Sequence, residues 1–522
     1  MSDTAHQEKH LEAYVVSRLK AQGWQVGDTR NYDAGRALCP DDLIAWLEAT
    51  QPETWARLQK NNAERPREAL MDRLVKALEQ HGTIHVIRRG FSIAGCGHID
   101  LTEAGPEDKR NDTGLKRYAA NILRVVPQLE YHPTRKPAID LVLFINGIPV
   151  ATVELKTGFT QSAEAAMEQY KTDRLPYDPK TRRREPLLTF KRGTVVHFAM
   201  SDSDIRMTTR LDGGNTVFLP FNQGYKGHAG NPPREDKEYP VACFRESVCQ
   251  RDAWRRIFHS FVYIGKKDVV DLHGNWKKKE TLIFPRYHQW ESVNAMIEDS
   301  RAHGPGMQHL ADQSAGSGKT STISWLAHDL VKLRRGNGEP IFNSVIIVTD
   351  RNVLDSQLRD AVRQIDHQFG VIAAIDRQKS SKPKSRQLAE ALPANTPIIV
   401  VTIQTFSLRD GSHRHGGVAQ GQKLRRHHRR GARLANGNDG RQAPDGAFHK
   451  RQGRDVHPDR GRTAGAVAEI ARPAEEHQLL RLHRHAEAFH PHAVRSPGRS
   501  VPPGIQDQPA AAVPPVSHAP GH

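Results

Sequence analysis

Cysteine is scarce in this 522-residue chain. Cys39, Cys96, Cys243 and Cys249 are scattered, which excludes a disulfide framework, and none shows the paired spacing of zinc ligands. Long apolar runs are missing too. No segment approaches the ~18 residues of a membrane span, and the polar start Met-Ser-Asp-Thr-Ala-His lacks the apolar core of a leader peptide. The chain therefore reads as cytoplasmic, with no membrane partner. Aromatic residues thin out towards the end: Phe448 and Phe489 are the only ones after Asp410. That stretch also holds 13 of the 28 histidines, and Arg, Gly, Pro and Ala dominate it. Such a segment buries too little apolar surface to offset its ordering entropy and is expected to be disordered.

Positive charge is present in excess, at a formal net of +17, so polyanions are natural partners. About half of it lies after residue 410, where 18 Lys and Arg face 9 Asp and Glu. The first 410 residues are only mildly basic.

The chain before residue 410 carries regular patterns. Leu11, Tyr14, Val15 and Leu19 recur at helical spacing. Trp46 to Leu78 reads as helical, Thr83–Ile93 as strand, Ala163–Tyr170 and Trp254–Val262 as helix, and Lys266–Lys279 as a basic linker. Ala138–Ile145 and Ile148–Lys156 are β-rich runs around Asn146-Gly147, a hairpin signal. From Leu282 strands and helices alternate: a strand at Met307–Ala311, a helix from Thr320 to about Leu333, the strand Ser344–Thr349, a helix from Asn352 and the strand Ile398–Thr402. That rhythm predicts a parallel sheet with helices on its faces.

Gln313-Ser-Ala-Gly-Ser-Gly-Lys-Thr320, between strand and helix, has the form of a phosphate-binding loop. Gly316 and Gly318 let N–H groups beside Ser317 turn toward phosphate oxygens, Lys319 reaches the outer phosphates, and Thr320 offers a hydroxyl to Mg²⁺. Gln313 stands where the strict pattern has glycine. Upstream, Pro285-Arg286-Tyr287-His288-Gln289 resembles an adenine-reading motif, in which Gln289 can donate and accept at once. Val348–Arg351 and Val401–Thr405 sit at strand ends and resemble DNA-contacting helicase motifs.

Asp140 and Glu154 flank the Asn146-Gly147 turn, and Lys156 follows on the face of Glu154. Two carboxylates can hold Mg²⁺ on a scissile phosphate, and a lysine can orient the attacking water. A two-residue turn with regular pairing sets Asp140 opposite Val153, on the wrong face. The site therefore requires a three-residue turn bulged at Gly147, or an equivalent distortion. Glu12 on the first helix stands where this nuclease fold often adds a third carboxylate. Gln169-Tyr170-Lys171 resembles the glutamine motif of one subfamily, with Asp173 where that motif has tyrosine.

Together these segments, from about Leu11 to Leu408, resemble the restriction (R) subunit of type I restriction-modification enzymes. The resemblance includes the loop Asn222–Pro233. It implies an α/β chain: a PD-(D/E)xK-type endonuclease domain over 1–255, a linker over 256–281 and a partial RecA-like superfamily 2 helicase lobe over 282–408. It further implies ATP and Mg²⁺ as cofactors, with double-stranded DNA and the modification (M) and specificity (S) subunits as partners. The site residues it implies are Asp140, Glu154, Lys156, Glu12 and Gln169 for cutting. Arg286, Gln289, Gly316, Ser317, Gly318, Lys319 and Thr320 are implied for nucleotide, and Asp140, Glu154 and Thr320 for metal.

The family's Asp-Glu-Ala-His and Thr-Ala-Thr-Pro-Lys segments are absent. If each tail codon is read one base later, Arg425–Arg433 can encode Ala-Val-Ile-Ile-Asp-Glu-Ala-His, and Leu482–Val494 can encode Phe-Thr-Ala-Thr-Pro-Lys-Pro-Phe-Thr-Leu-Met-Leu-Phe. A frameshift between about Arg409 and Lys423 accounts for both, so 409–522 reads as a non-native tail and the motor as defective. The rival readings are a DNA helicase or remodelling ATPase with a structural front domain, a non-enzymatic DNA-binding fragment, and a stand-alone Mg²⁺ nuclease.

Overall fold

The structure is a computed structural model. It describes residues 2–106, 110–157, 162–236, 238–270, 274–314, 316–349, 352–365, 372–374, 383–403, 405, 465–471 and 478–485. Helix α1 (Ser2–Ala21) opens the chain, followed by β1 (Gln25–Val26), α2 (Pro40–Thr50), α3 (Pro52–Asn61), α4 (Pro66–His81) and α5 (Thr83–Arg89). Next come the small ladder β2 (Phe91–Ile93) and β3 (Gly97–Ile99), then α6 (Asp112–Ala120). The principal strands β4 (Leu123–Glu130), β5 (Ala138–Ile145) and β6 (Ile148–Leu155) lead through α7 (Ala163–Thr172) to β7 (Val196–Met200), β8 (Ile205–Thr208) and β9 (Leu219–Pro220). Seven of these strands form one mixed sheet in the order β1-β4-β5-β6-β7-β8-β9. β5 and β6 are central and almost wholly buried, so they read as apolar runs rather than as alternation.

After α8 (Arg251–Arg256) a wide turn, Ile257–Phe261, leads into the antiparallel pair β10 (Tyr263–Val270) and β11 (Trp276–Ile283). Helices α9 (Tyr287–His303) and α10 (Lys319–Lys332) follow, then β12 (Val345–Thr349), α11 (Asn352–Ile365), β13 (Ile372–Ala374), α12 (Lys384–Ala391) and β14 (Ile398–Thr402). β15 (Gly465–Ala471) and β16 (Gln478–His485) complete a second sheet in the order β13-β14-β12-β16-β15. Its β12, β13, β14 and β16 run parallel. Both sheets lie within one unit, residues 1–485. The largest of three apolar clusters among the described residues runs from Leu11 through Phe198, Phe258 and Trp290 to Val400.

Four sequence expectations are corrected. Thr83–Ile93 is not one strand: Thr83–Arg89 is a helix and only Phe91–Ile93 is extended. Gly82 (φ +85°) and Gly90 (φ +58°) bracket the helix, and Thr83, Ile84, Val86 and Ile87 bury one side of it. β-branched residues raised strand propensity here, and burial overrode it. Lys266–Lys279 is not a linker, because most of it lies in the β10–β11 ribbon. Met307–Ala311 forms no strand: β12 is already flanked by β14 and β16, so no ladder is open there. The tail is not wholly without structure, since Gly465–Ala471 and Gln478–His485 are paired strands. Asp350, Arg351 and Gln404 of the expected DNA-contacting motifs lie outside the described residues, as do Arg425–Arg433 and residues 486–494.

Gly147 shows how tightly the β5–β6 hairpin is seated. Its φ is +81°, and a Cβ there would run into the carbonyl oxygen of Cys39, which precedes α2. The Cys39 N–H donates to the Gly147 carbonyl at 2.8 Å. Gly147→Ala is expected to destabilise the fold by roughly 1–3 kcal/mol, read as a lowered midpoint in denaturant unfolding.

Candidate functional site

Asn146 (φ +48°) and Gly147 close a two-residue turn, with Ile145 opposite Ile148 and Phe144 opposite Pro149. This is the turn that regular pairing would turn against the site. The register then slips by one residue, and Leu143 pairs with Ala151. The slip sits at Pro149, which has no N–H for the ladder. Val150 is the extra residue, and its carbonyl accepts instead from the Val195 N–H at 2.9 Å. Beyond the bulge Leu141 lies opposite Val153, which brings Asp140 and Glu154 to the same level and face. The expected distortion is therefore present, three residues from where a bulged turn would have put it.

A second irregularity flanks Asp140 on its other side. β4 pairs Pro127 with Leu141 and Leu129 with Ile139, skipping Gln128, whose φ is +47°. The Gln128 amide is thereby aimed at the acids. Its Nε2 donates to Asp140 Oδ1 at 3.1 Å and to Glu12 Oε2 at 2.5 Å. The other Asp140 oxygen accepts from the Leu155 N–H at 2.7 Å. Glu12, Asp140 and the Glu154-Leu155-Lys156 segment thus form one linked cluster. Lys156 Nζ stands 3.5 Å from Glu8 on α1, one helical turn before Glu12.

Glu154 is fully buried. Its Oε1 accepts from Arg174 Nε at 2.6 Å, and its Oε2 has no partner. Burial pushes its carboxyl up to about 8; Asp140 adds to the rise and Arg174 opposes it. Burial also raises Glu12, opposed by the Gln128 hydrogen bond and reinforced by Asp140. Carboxyl groups crowd here, and burial together with that crowding favours the protonated form of Glu154. Among the described residues no three His, Cys, Asp or Glu side chains are grouped to hold a metal ion. A cation here would rest on two carboxylates and water. That donor set suits Mg²⁺, which takes oxygen ligands and keeps much of its water. The unpartnered Glu154 Oε2 and the acid crowding both fit such an ion.

Gln169 is on α7 beside this sheet but hydrogen-bonds none of the three acids, and its Oε1 is buried without a partner. Its neighbour Tyr170 shares a 2.8 Å hydrogen bond with Thr152. Sequence reading overlooked Gln128, Arg174 and Glu8. A proline inside β4 was a signal for the first, since Pro127 marks a strand irregularity. Nothing local marked Arg174, which lies just after α7.

The glycine loop is built on α9 and α10. Gly316 (φ +77°) and Gly318 (φ +88°) adopt left-handed backbone, and α10 begins at Lys319 with its free N–H groups toward the loop. Arg286 Nη2 donates to the Gly316 carbonyl at 3.1 Å, and Gln289 Nε2 donates to the Gly318 carbonyl at 3.0 Å. Gln289 Oε1 accepts the Arg286 N–H at 2.9 Å. The expected adenine reader is therefore 4% exposed and engaged at both ends of its amide, where it holds the loop's shape. Gln313 spans the loop as well: it accepts from Ser317 at 3.4 Å and donates to Ser292 at 3.3 Å. A glycine there could make neither bond. Thr320 follows Lys319 in the first turn of α10.

The family model for the N terminus of type I restriction enzyme R proteins matches residues 6–216. A family model for SWI2/SNF2 ATPases matches residues 288–429. A type I restriction enzyme endonuclease subunit from Methanocaldococcus jannaschii is 24% identical over 253 residues, covering 47% of this chain and 22% of that protein. No helix among the described residues is long and apolar enough to cross a membrane.

Proposed function

We propose, from the premise that this chain belongs through its N-terminal region to the R proteins of type I restriction enzymes, that it is the cutting and motor subunit of such a system. Its substrate is unmodified double-stranded DNA, its cofactors are ATP and Mg²⁺, and its partners are the M and S subunits in the cytoplasm. The observation that carries the reading is the bulge at Pro149–Ala151, which brings Asp140 level with Glu154 and leaves Glu154 Oε2 without a partner. The front sheet is then a PD-(D/E)xK-type centre, and the second sheet part of a RecA-like lobe.

In this reading Asp140 and Glu154 hold the ion, and Glu12 is linked to them through Gln128. When bound, Mg²⁺ polarises the scissile phosphate and favours hydroxide over water. Arg174 keeps the buried Glu154 oriented. Lys156, drawn toward α1 by Glu8, is placed to orient the attacking water and meet charge developing on the phosphate. At the glycine loop the α10 N-terminus and Lys319 receive the ATP phosphates, and Thr320 offers its hydroxyl to Mg²⁺. The absent Asp-Glu-Ala-His segment, and the shifted frame that can encode it, make this product motor-defective.

A remodelling ATPase with a structural front domain draws on the SWI2/SNF2 match, but it leaves a fully buried, half-partnered glutamate without a role. The two readings separate in a frame-restored protein carrying Glu154→Ala. Restriction predicts that cutting is lost while DNA-stimulated ATP turnover stays within about twofold of the parent. Undiminished cutting would refute the nuclease assignment.

A further inference from the structure

The β10–β11 ribbon has two unlike faces. Residues directly opposite in an antiparallel pair point to the same side. On one face Lys266 lies opposite Glu280, Asp268 opposite Lys278, and Val270 opposite Trp276. Charge is balanced there: Lys266 Nζ stands 3.5 Å from Glu280, which also takes Lys191 at 2.6 Å. On the other face Lys267 lies opposite Lys279 and Val269 opposite Lys277. No carboxylate occurs among the paired residues of that face, and like charges directly opposed weaken a ladder.

The base of the ribbon is fixed from both sides. Tyr263 and Leu282 are buried, the Thr209 hydroxyl donates to the Leu282 carbonyl at 2.8 Å, and the Gln364 amide of α11 brackets the Lys266 backbone. The outer half stands in solvent, with Trp276 75% and Val270 53% exposed. An isolated two-stranded ribbon is marginal in water, so anchoring holds this like-charged pair together. Lys279 also lines a cavity of about 370 Å³ with Arg210, Lys266, Lys278 and one carboxylate, Glu280, so that four cations face one anion there; the Arg210 guanidinium lies 5.1 Å from the centre of the Phe190 ring. The cationic surface thus continues from the ribbon onto the nuclease side.

We infer that the lysine face of this ribbon, centred on Lys267 and Lys279, is a docking surface for the phosphodiester backbone of duplex DNA. The inference rests on the nuclease-motor reading above and names where its substrate is held. A polyanion complements the face and relieves the Lys267–Lys279 repulsion, and a two-stranded ribbon fits a major groove about 12 Å wide. Phosphate contacts of this kind position the duplex without reading its sequence.

The test is duplex binding by the full 522-residue chain across a salt series, using fluorescence anisotropy of a labelled duplex without ATP or divalent ions. Each phosphate contact contributes about 0.9 to the slope of log affinity against log salt. K267E/K279E is expected to lower that slope by about 2 and weaken binding at least tenfold at about 0.1 M salt. K278A, on the balanced face, is expected to change affinity less than about twofold. K279E alone places opposite charges across the ladder, so the ribbon stays paired while binding falls, and its thermal midpoint checks folding. An unchanged slope in K267E/K279E, with binding intact, overturns the ribbon inference and leaves the functional reading standing. No duplex binding by the unaltered chain overturns both. Loss of association with the M and S subunits at undiminished DNA affinity identifies a protein-docking face and also overturns the inference.

Discussion

In the frame-restored protein, Asp140→Ala is expected to lower ATP- and Mg²⁺-dependent nicking of supercoiled plasmid by on the order of 10³-fold. Asp140 is engaged on both sides. One oxygen takes the Leu155 N–H, fixing the carboxylate against the Glu154-Lys156 strand, and the other takes Gln128, which also reaches Glu12. Removing it takes away a proposed metal ligand and frees the Gln128 amide together. Lys156→Ala is expected to fall as far while leaving Mg²⁺ affinity nearly unchanged, because that lysine meets charge that develops during reaction. Isothermal titration with Mg²⁺ separates the two effects. Equal nicking by Asp140→Ala and the parent chain would mean the cutting chemistry lies elsewhere.

The second large effect concerns the motor. The chain as given is expected to bind ATP but not to turn it over in response to DNA. A frame-restored chain is expected to show DNA-stimulated turnover at least about 10²-fold above it. The loop geometry is assembled here, with Gly316 and Gly318 left-handed and their carbonyls held by Arg286 and Gln289. The carboxylates that position water on the terminal phosphate are not encoded in this frame. Lys319→Ala is expected to weaken nucleotide binding by about 10- to 100-fold, the worth of a charge-assisted contact, as measured with a fluorescent ATP analogue. DNA-stimulated turnover by the unaltered 522-residue chain would refute the motor defect.

The two sites differed in how far they could be read from sequence. Asp140, Glu154 and Lys156 were visible as residue types at a spacing. By the alternation of faces along a strand, regular pairing cannot bring the acids together, so their spacing alone demands a distortion. Its place depended on Pro149 and on the seat that Cys39 makes for the turn, a long-range contact that no local pattern records. Arg174 was invisible for the same reason, since its partner lies 20 residues away across a helix crossover. Thr83–Arg89 was misread because β-branched side chains favour strands until burial and two bracketing glycines decide otherwise. Lysine density made the ribbon look like a linker. Its cross-strand register, invisible without pairing, is what distinguishes a balanced face from a cationic one.

The aromatic seam in the core bears on how such a protein can be taken apart. Phe198, Phe221 and Phe244 belong to the front region, yet Phe284, immediately before α9, packs against Phe198 and Phe221 with ring centres 5.9 and 6.2 Å apart. Trp290 likewise meets Phe261 at 5.0 Å. Scissors applied near residue 282 would leave both pieces with raw apolar wounds. Neither half can be traded as an interchangeable cassette, and a graft onto another motor must carry the matching rings with it.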